Sequence, residues 1–168
     1  MFKIESIGSG FLAIMAHPGQ EQGAASAIAS IASDGIQQVV SLLEPAEANA
    51  LGLGTEAQLV AEQSMAFVSF PIPDMGLPAS VSAFAGLARD LYRQVDAGVN
   101  TLVHCRGGVG RSGLLAAAVL LHCDLDPRQA CEKITRIRGL RVPETREQGD
   151  WLQTNHAAIS NPPVADPC

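Results

Sequence analysis

A thiol and a guanidinium separated by five residues and set among glycines have the clearest chemical promise in this chain: His104-Cys105-Arg106-Gly107-Gly108-Val109-Gly110-Arg111-Ser112-Gly113. Ahead of them, Val99-Asn100-Thr101-Leu102-Val103 is free of charge and reads as a buried strand. From Ser112 to Cys123 a very apolar stretch reads as a buried helix. The segment between must therefore wrap around a helix N-terminus. Three glycines within positions 107–110 permit positive φ, so successive N–H groups can converge on one point. The helix adds roughly half a positive charge there, and the natural guest is an oxyanion. A thiol at the base of the loop feels the same field, which favours its nucleophilic thiolate form. The planar fork of Arg111 can hold two phosphate oxygens at once, which a lysine cannot do. The Ser112 hydroxyl can donate to the sulfur when it has to leave. This set suits attack of sulfur on a phosphate monoester. The amides of Arg106, Gly107, Gly108, Val109 and Gly110, with the Arg111 side chain, would hold the phosphate. Cys123 and Cys131 lack the spacing, because Gln129 and Ile137 stand where an arginine is needed.

The surrounding segments predict the scaffold. Strand character recurs over Phe11–Ala16, Gln38–Leu43, Ala66–Phe70 and Val99–His104, and helical character over 23–33 and 55–64. The clearest amphipathic helix runs from about Ala79 to Val95. Val81, Phe84, Leu87, Ala88, Leu91 and Val95 form its apolar face, with Arg89, Asp90, Arg93 and Gln94 opposite. Two more helices are expected over Pro127–Arg138 and from Pro143 to about Ala158, each with proline in its first turn. The alternation predicts an α/β fold: a central, mostly parallel twisted sheet of four to five strands, with helices on both faces. The Val99–Val103 strand is expected at its centre, feeding the glycine loop at the edge where open α/β sheets bind ligands.

The 168 residues fit one domain, expected over 1–159, with 160–168 (Ser-Asn-Pro-Pro-Val-Ala-Asp-Pro-Cys) as a flexible tail. The longest apolar run, Leu114 to Cys123, is about half of what a membrane span needs. Four cysteines show no zinc spacing and no disulfide framework. With no secretory signal at the N-terminus, a reducing cytoplasm is the expected location. The net charge of -6 argues against nucleic-acid or stable membrane association. Residues 101–146 nonetheless hold eight of the eleven Lys and Arg against four of the seventeen Asp and Glu. That local excess can draw an anionic ligand to one site.

The string His-Cys, five residues, Arg, Ser resembles the active-site signature of the cysteine-dependent dual-specificity and protein tyrosine phosphatases. The likeness extends over most of the chain and includes the kinase-associated phosphatase branch. Gly35 through Leu43 looks like that family's early strand; Ile72-Pro73-Asp74 with Gly76 and Pro78 looks like its acid loop; Arg138-Gly139-Leu140-Arg141 through Thr145 and Gln148 looks like its late segment. The resemblance implies a phosphoprotein phosphatase working through a cysteinyl-phosphate, without metal or other cofactor. It makes Cys105 the nucleophile, His104 a support of the thiolate, Arg111 the phosphate ligand and Ser112 an aid to sulfur departure. Asp74 would be the general acid and then base, and Gln148 would help place the hydrolytic water. Asp74 is the one carboxylate between Glu62 and Asp90; a turn cap is the structural alternative for an Asp in such a proline-rich loop. Ile72 stands where tyrosine-specific members carry Trp, and the long phosphotyrosine-recognition elements of larger relatives are missing, which favours a shallow pocket and dual specificity. The expected partner is a phosphorylated protein or small phosphorylated substrate, acted on by a monomer; kinase binding does not carry over. Two lysines in the whole chain, Lys3 and Lys133, speak against a phosphoinositide.

Gly108, Gly110 and Gly113 also fit a dinucleotide fingerprint, but Asp124 and Asp126 precede a helix instead of ending a strand, and Cys105 and Arg111 would be idle. A rhodanese-like sulfurtransferase would use the cysteine but leave Asp74 without a task. A catalytically dead phosphate-binding module would usually have lost one of Cys105, Arg111 and Asp74, and all three are present.

Overall fold

The structure, a computed structural model, describes residues 1–19 and 23–161. Residues 162–168 of the expected tail lie outside it. The elements run β1 (Phe2–Ile7), β2 (Gly10–Ala16), α1 (Ala24–Ser33), β3 (Gln38–Ser41), α2 (Pro45–Ala50), α3 (Glu56–Glu62), β4 (Ala66–Ser69), α4 (Val81–Asp96), β5 (Thr101–Cys105), α5 (Arg111–Leu120), α6 (Pro127–Arg138) and α7 (Arg146–Ser160). A 3-10 turn, Leu121–Cys123, extends α5. The five strands order as β1-β2-β5-β3-β4. β5 pairs in parallel with β2 and β3, β3 with β4, and only β1 is antiparallel.

β5 is central and buried at every residue. On one face, α4, α5, α6 and α7 pack Phe84, Leu91, Leu115, Val119, Ile134 and Leu152 into the larger core; on the other, α1 and α3 bring Ile28, Ile31 and Val60 against Val39 and Leu102. All ten residues of α5 are buried. A helix so enclosed has little freedom to shift its first turn, and that turn carries Arg111.

Three elements depart from expectation. The expected first strand is preceded by β1, joined to it through Gly8-Ser9, since Ile7 pairs with Gly10. Gly8 takes φ 55°, and a side chain there would meet Asp96 O at 2.3 Å. A register irregularity between Lys3 and Glu5 breaks the two-residue alternation that betrays a strand, and the buried residues become Ile4 and Ile7. α2 was also not expected; at six residues it is too short for a periodic signal. Finally, α7 starts at Arg146 instead of Pro143. Thr145 caps it, with reciprocal bonds between Thr145 and Gln148, a Thr-x-x-Gln capping box.

Candidate active site

The central strand ends on Cys105 and α5 begins at Arg111, so the loop bends back around the helix N-terminus. Gly108 takes φ 66°. A Cβ there would lie 2.3 Å from Met15 C and 2.4 Å from Ala16 N, so the loop can settle against β2 only with glycine at 108. The loop carbonyls face outward to donors. The His17 N–H reaches Arg106 O (3.3 Å), and Arg138 donates through Nε to Gly108 O (2.9 Å) and through Nη2 to Gly107 O (3.1 Å). Turning carbonyls out turns amides in, as the sulfur shows directly. Cys105 Sγ, with the residue only 3% exposed, lies 3.3 Å from Gly108 N and 3.3 Å from Ser112 Oγ. Gly113 serves packing: a Cβ there would stand 2.3 Å from Val142 Cγ1. That gives it a role outside any dinucleotide fingerprint.

Arg111 is buried and surrounded by acceptors. Its Nη1 and Nη2 form a fork on Glu47 of α2 (2.7 and 2.8 Å), Nη1 also reaches Ile72 O (3.0 Å), and Nη2 reaches Asp74 Oδ1 (2.8 Å). Burial works against its charge, but Glu47, Cys105 and Asp74 outweigh this and raise its pKa. The hydrogen bond from Arg111 holds Glu47 below the ordinary carboxylate value, against the opposing effect of burial. Sequence reasoning missed Glu47. A usable signal was its place just past the carboxyl end of β3, on the edge where ligand-handling groups gather.

This pairing makes stability pH-dependent. A carboxyl with a depressed folded pKa contributes stability that is fully present above its unfolded value and is lost as pH falls through the folded one. Urea midpoints should therefore drop below about pH 4.5. Glu47→Gln should cost about 1–3 kcal/mol at pH 7 and flatten the acid limb. An unchanged slope would show that Glu47 is not the group responsible.

Asp74 lies in the loop after β4, with its side chain 49% exposed. Its Oδ1 accepts both the Met75 N–H (3.1 Å) and Arg111 Nη2 (2.8 Å). Arg106, 60% exposed, stands 3.9 Å from Asp74 Oδ2. His104 is fully buried, with Nε2 2.8 Å from Glu56 Oε1 at the start of α3, another partner without a sequence signal. Gln148 is fully buried, unlike an ordinary surface glutamine. Its Nε2 donates to Gly76 O (3.1 Å), two residues past Asp74, and its Oε1 accepts from Thr145 N (3.4 Å). Cys123 and Cys131 are free; burial pushes the Cys123 thiol up and that of Cys131 to about 11, so neither is ionised at neutral pH. Among the described residues, no helix is long and apolar enough to cross a membrane.

Residues 2–157 match the family described as Swiss Army Knife protein, DSP-PTPase phosphatase domain. Cyclin-dependent kinase inhibitor 3 of Rattus norvegicus is 30% identical over 122 residues, covering 71% of this chain and 57% of that protein, so the chain spans little more than half of this curated relative. The crystal structure of kinase associated phosphatase with its catalytic cysteine replaced by serine superposes with a TM-score of 0.86 at 23% identity, covering 95% of this chain and 96% of the other; at that identity it establishes the fold. Tk-PTP in its active form superposes at 0.74 with 27% identity, covering 92% and 96%.

Proposed function

We propose that this chain, which belongs to the dual-specificity/protein tyrosine phosphatase (DSP-PTPase) domain family, hydrolyses phosphate monoesters through a cysteinyl-phosphate on Cys105. The observation that carries this reading is the pair of hydrogen-bonding partners on one sulfur, the Gly108 N–H that donates to it and the Ser112 hydroxyl, both at 3.3 Å, at the base of a loop that ends on Arg111. Such partners can hold the sulfur in place for attack and ease its departure as a leaving group afterwards.

Phosphate enters by exchange. Of the five N–H donors of a guanidinium, Arg111 spends Nη1 on Glu47 and Ile72 O, and Nη2 on Glu47 and Asp74. A bidentate grip on phosphate uses Nε together with the Nη2 hydrogen that Asp74 occupies. The substrate dianion takes that place and releases Asp74 toward the leaving oxygen. Once released, Asp74 takes up a proton from solvent; sulfur then attacks phosphorus in line, the ester oxygen departs with that proton, and the equatorial oxygens rest on the amides of residues 106–111 and on Arg111. Water then attacks phosphorus, gives its proton to Asp74, and the sulfur leaves as thiolate. Glu47 keeps the guanidinium in plane throughout.

A phosphorylated protein is the substrate class best supported. The exposed Asp74 and Arg106 make an open, shallow rim, and the sequence match to a kinase inhibitor points the same way. Free thiols at Cys105, Cys123 and Cys131 suit a reducing compartment such as the cytoplasm. The test is phosphate release from p-nitrophenyl phosphate, inhibited by vanadate and indifferent to EDTA. Cyanide-dependent thiocyanate formation in its place would indicate a sulfurtransferase. Within the same assay, Asp74→Asn should cost about 10²–10³ in kcat on phosphotyrosine or phosphothreonine peptides and much less on p-nitrophenyl phosphate, whose leaving group needs little protonation. Equal losses on both would remove Asp74 as the acid.

A further inference from the structure

The residues that hold the loop carbonyls have donors to spare. Arg138 gives Nε to Gly108 O and Nη2 to Gly107 O, and its Nη1 meets no acceptor among the described residues. His17 gives its backbone N–H to Arg106 O, while its Nδ1 accepts the Gly19 N–H (3.3 Å). An imidazole that accepts at Nδ1 carries its proton on Nε2 when neutral. Burial, with His104 and Arg106, lowers the His17 pKa against the weaker pull of Glu56 and Glu47, so the ring is neutral at neutral pH. Nε2 is then a donor on a residue only 9% exposed, and no acceptor among the described residues takes it up.

Both residues line one cleft of about 360 Å³. Phe2 of β1, Met15 of β2, and Ala27 and Ile31 of α1 supply its apolar walls. Gly108 packs on Met15 and Ala16, which also line it, so the cleft shares a wall with the loop. Apolar walls with a few placed polar groups are how small organic molecules are held. Two unspent donors, one of them cationic, call for an anionic oxygen ligand. They approach successive loop carbonyls, and a carboxylate has two oxygens to share between them. The walls call for a hydrocarbon body behind it. Asp34 is the carboxylate on the lining, and it disfavours a second negative group on the guest.

We infer that this cleft binds an organic monocarboxylate with an apolar body, its oxygens on His17 Nε2 and Arg138 Nη1, and that its occupancy weakens the hold on phosphate. The coupling rests on the phosphatase reading above; the binding does not. Its sign follows from charge. Arg138 brings a positive charge to two carbonyls of the anion-holding loop, and a carboxylate against the same guanidinium offsets it. An anion in the loop then loses part of the field that favours it. By linkage, phosphate or vanadate in the loop weakens the carboxylate by the same factor.

Octanoate is the probe, and octanamide carries the same body without the charge. Calorimetry on the whole chain should show a single octanoate site, with octanamide bound at least about tenfold more weakly. In p-nitrophenyl phosphate hydrolysis, octanoate should raise KM to a plateau at least about fivefold higher, with kcat unchanged. A KM that climbs without limit would put octanoate in the phosphate cradle and overturn the inference. So would an unmoved KM, equal affinities for the two probes, or no octanoate binding up to about 10 mM. Ala27→Phe, which fills the cleft from α1, should keep wild-type turnover and bind octanoate at least about tenfold more weakly; undiminished binding would place the carboxylate elsewhere and overturn the assignment. A chain that binds octanoate but releases no p-nitrophenol would overturn the phosphatase reading and leave the site standing.

Discussion

A Cys105→Ser variant is expected to lose at least about 10⁴-fold in turnover while keeping its affinity for the phosphorylated ligand. The reason lies in what surrounds the sulfur. The hydrogen-bonding neighbours of Cys105 Sγ are the Gly108 N–H and the Ser112 hydroxyl, and neither is a base. A sulfur in this setting can attack without a base beside it, because its nucleophilic form does not need one to take a proton during the step. A serine hydroxyl would need a base to take its proton during attack, and none touches it. Most of the loop's anchors do not involve the sulfur: Arg111 is held on Glu47 and the Gly107 and Gly108 carbonyls on Arg138. Binding measured by calorimetry with a phosphotyrosine peptide should therefore persist while single-turnover hydrolysis vanishes. Residual turnover within about a hundredfold of wild type would mean that another group attacks phosphorus, and the covalent mechanism would fail.

Arg111→Lys should lower kcat/KM by about 10³, far beyond what a conserved charge suggests. Lysine would restore one positive charge but not the fork that meets both Glu47 oxygens, nor the further donors to Ile72 O and Asp74. Its ammonium has three donors for four good acceptors and no planar edge to offer phosphate. Two effects should appear together: weaker phosphate affinity, and lower stability because Glu47 is left incompletely paired in a half-buried position. Measuring kcat/KM and a urea midpoint on the same preparation checks both. A lysine enzyme within about threefold of wild type would show that charge alone suffices and that the fork is incidental.

The loop was legible from sequence because its chemistry is local. Glycines, cysteine, arginine and serine at fixed spacing, between an apolar strand and an apolar helix, dictate an anion cradle wherever they occur. Asp74 stood out through its neighbours, the prolines and glycine of a stiff bend, and the fold brings it to Arg111. Glu47, Glu56 and Arg138 were not, because each meets the loop only after β3, α3 and α6 have packed, and nothing in the few residues around them differs from an ordinary charged surface. Gln148 was read as an aid to water placement. The capping box at Thr145 fixes that residue, yet burial depends on the acid loop folding down over it. The fold class followed from alternating strands and helices. β1 escaped because its register slip erases the period that sequence reading relies on, though Gly8-Ser9 between apolar residues was a hairpin signal.

The grip of Arg138 on two loop carbonyls has a consequence for where this catalyst can be tuned. The Cζ of the same guanidinium lies 4.2 Å from the centre of the Phe2 ring, on the outermost strand of the sheet. The backbone of the Gly107–Gly108 turn is thus moored, through one cation–π stack, to the edge strand β1. Changes at that edge can loosen or tighten the hold on a phosphoryl group without touching any residue that takes part in bond making.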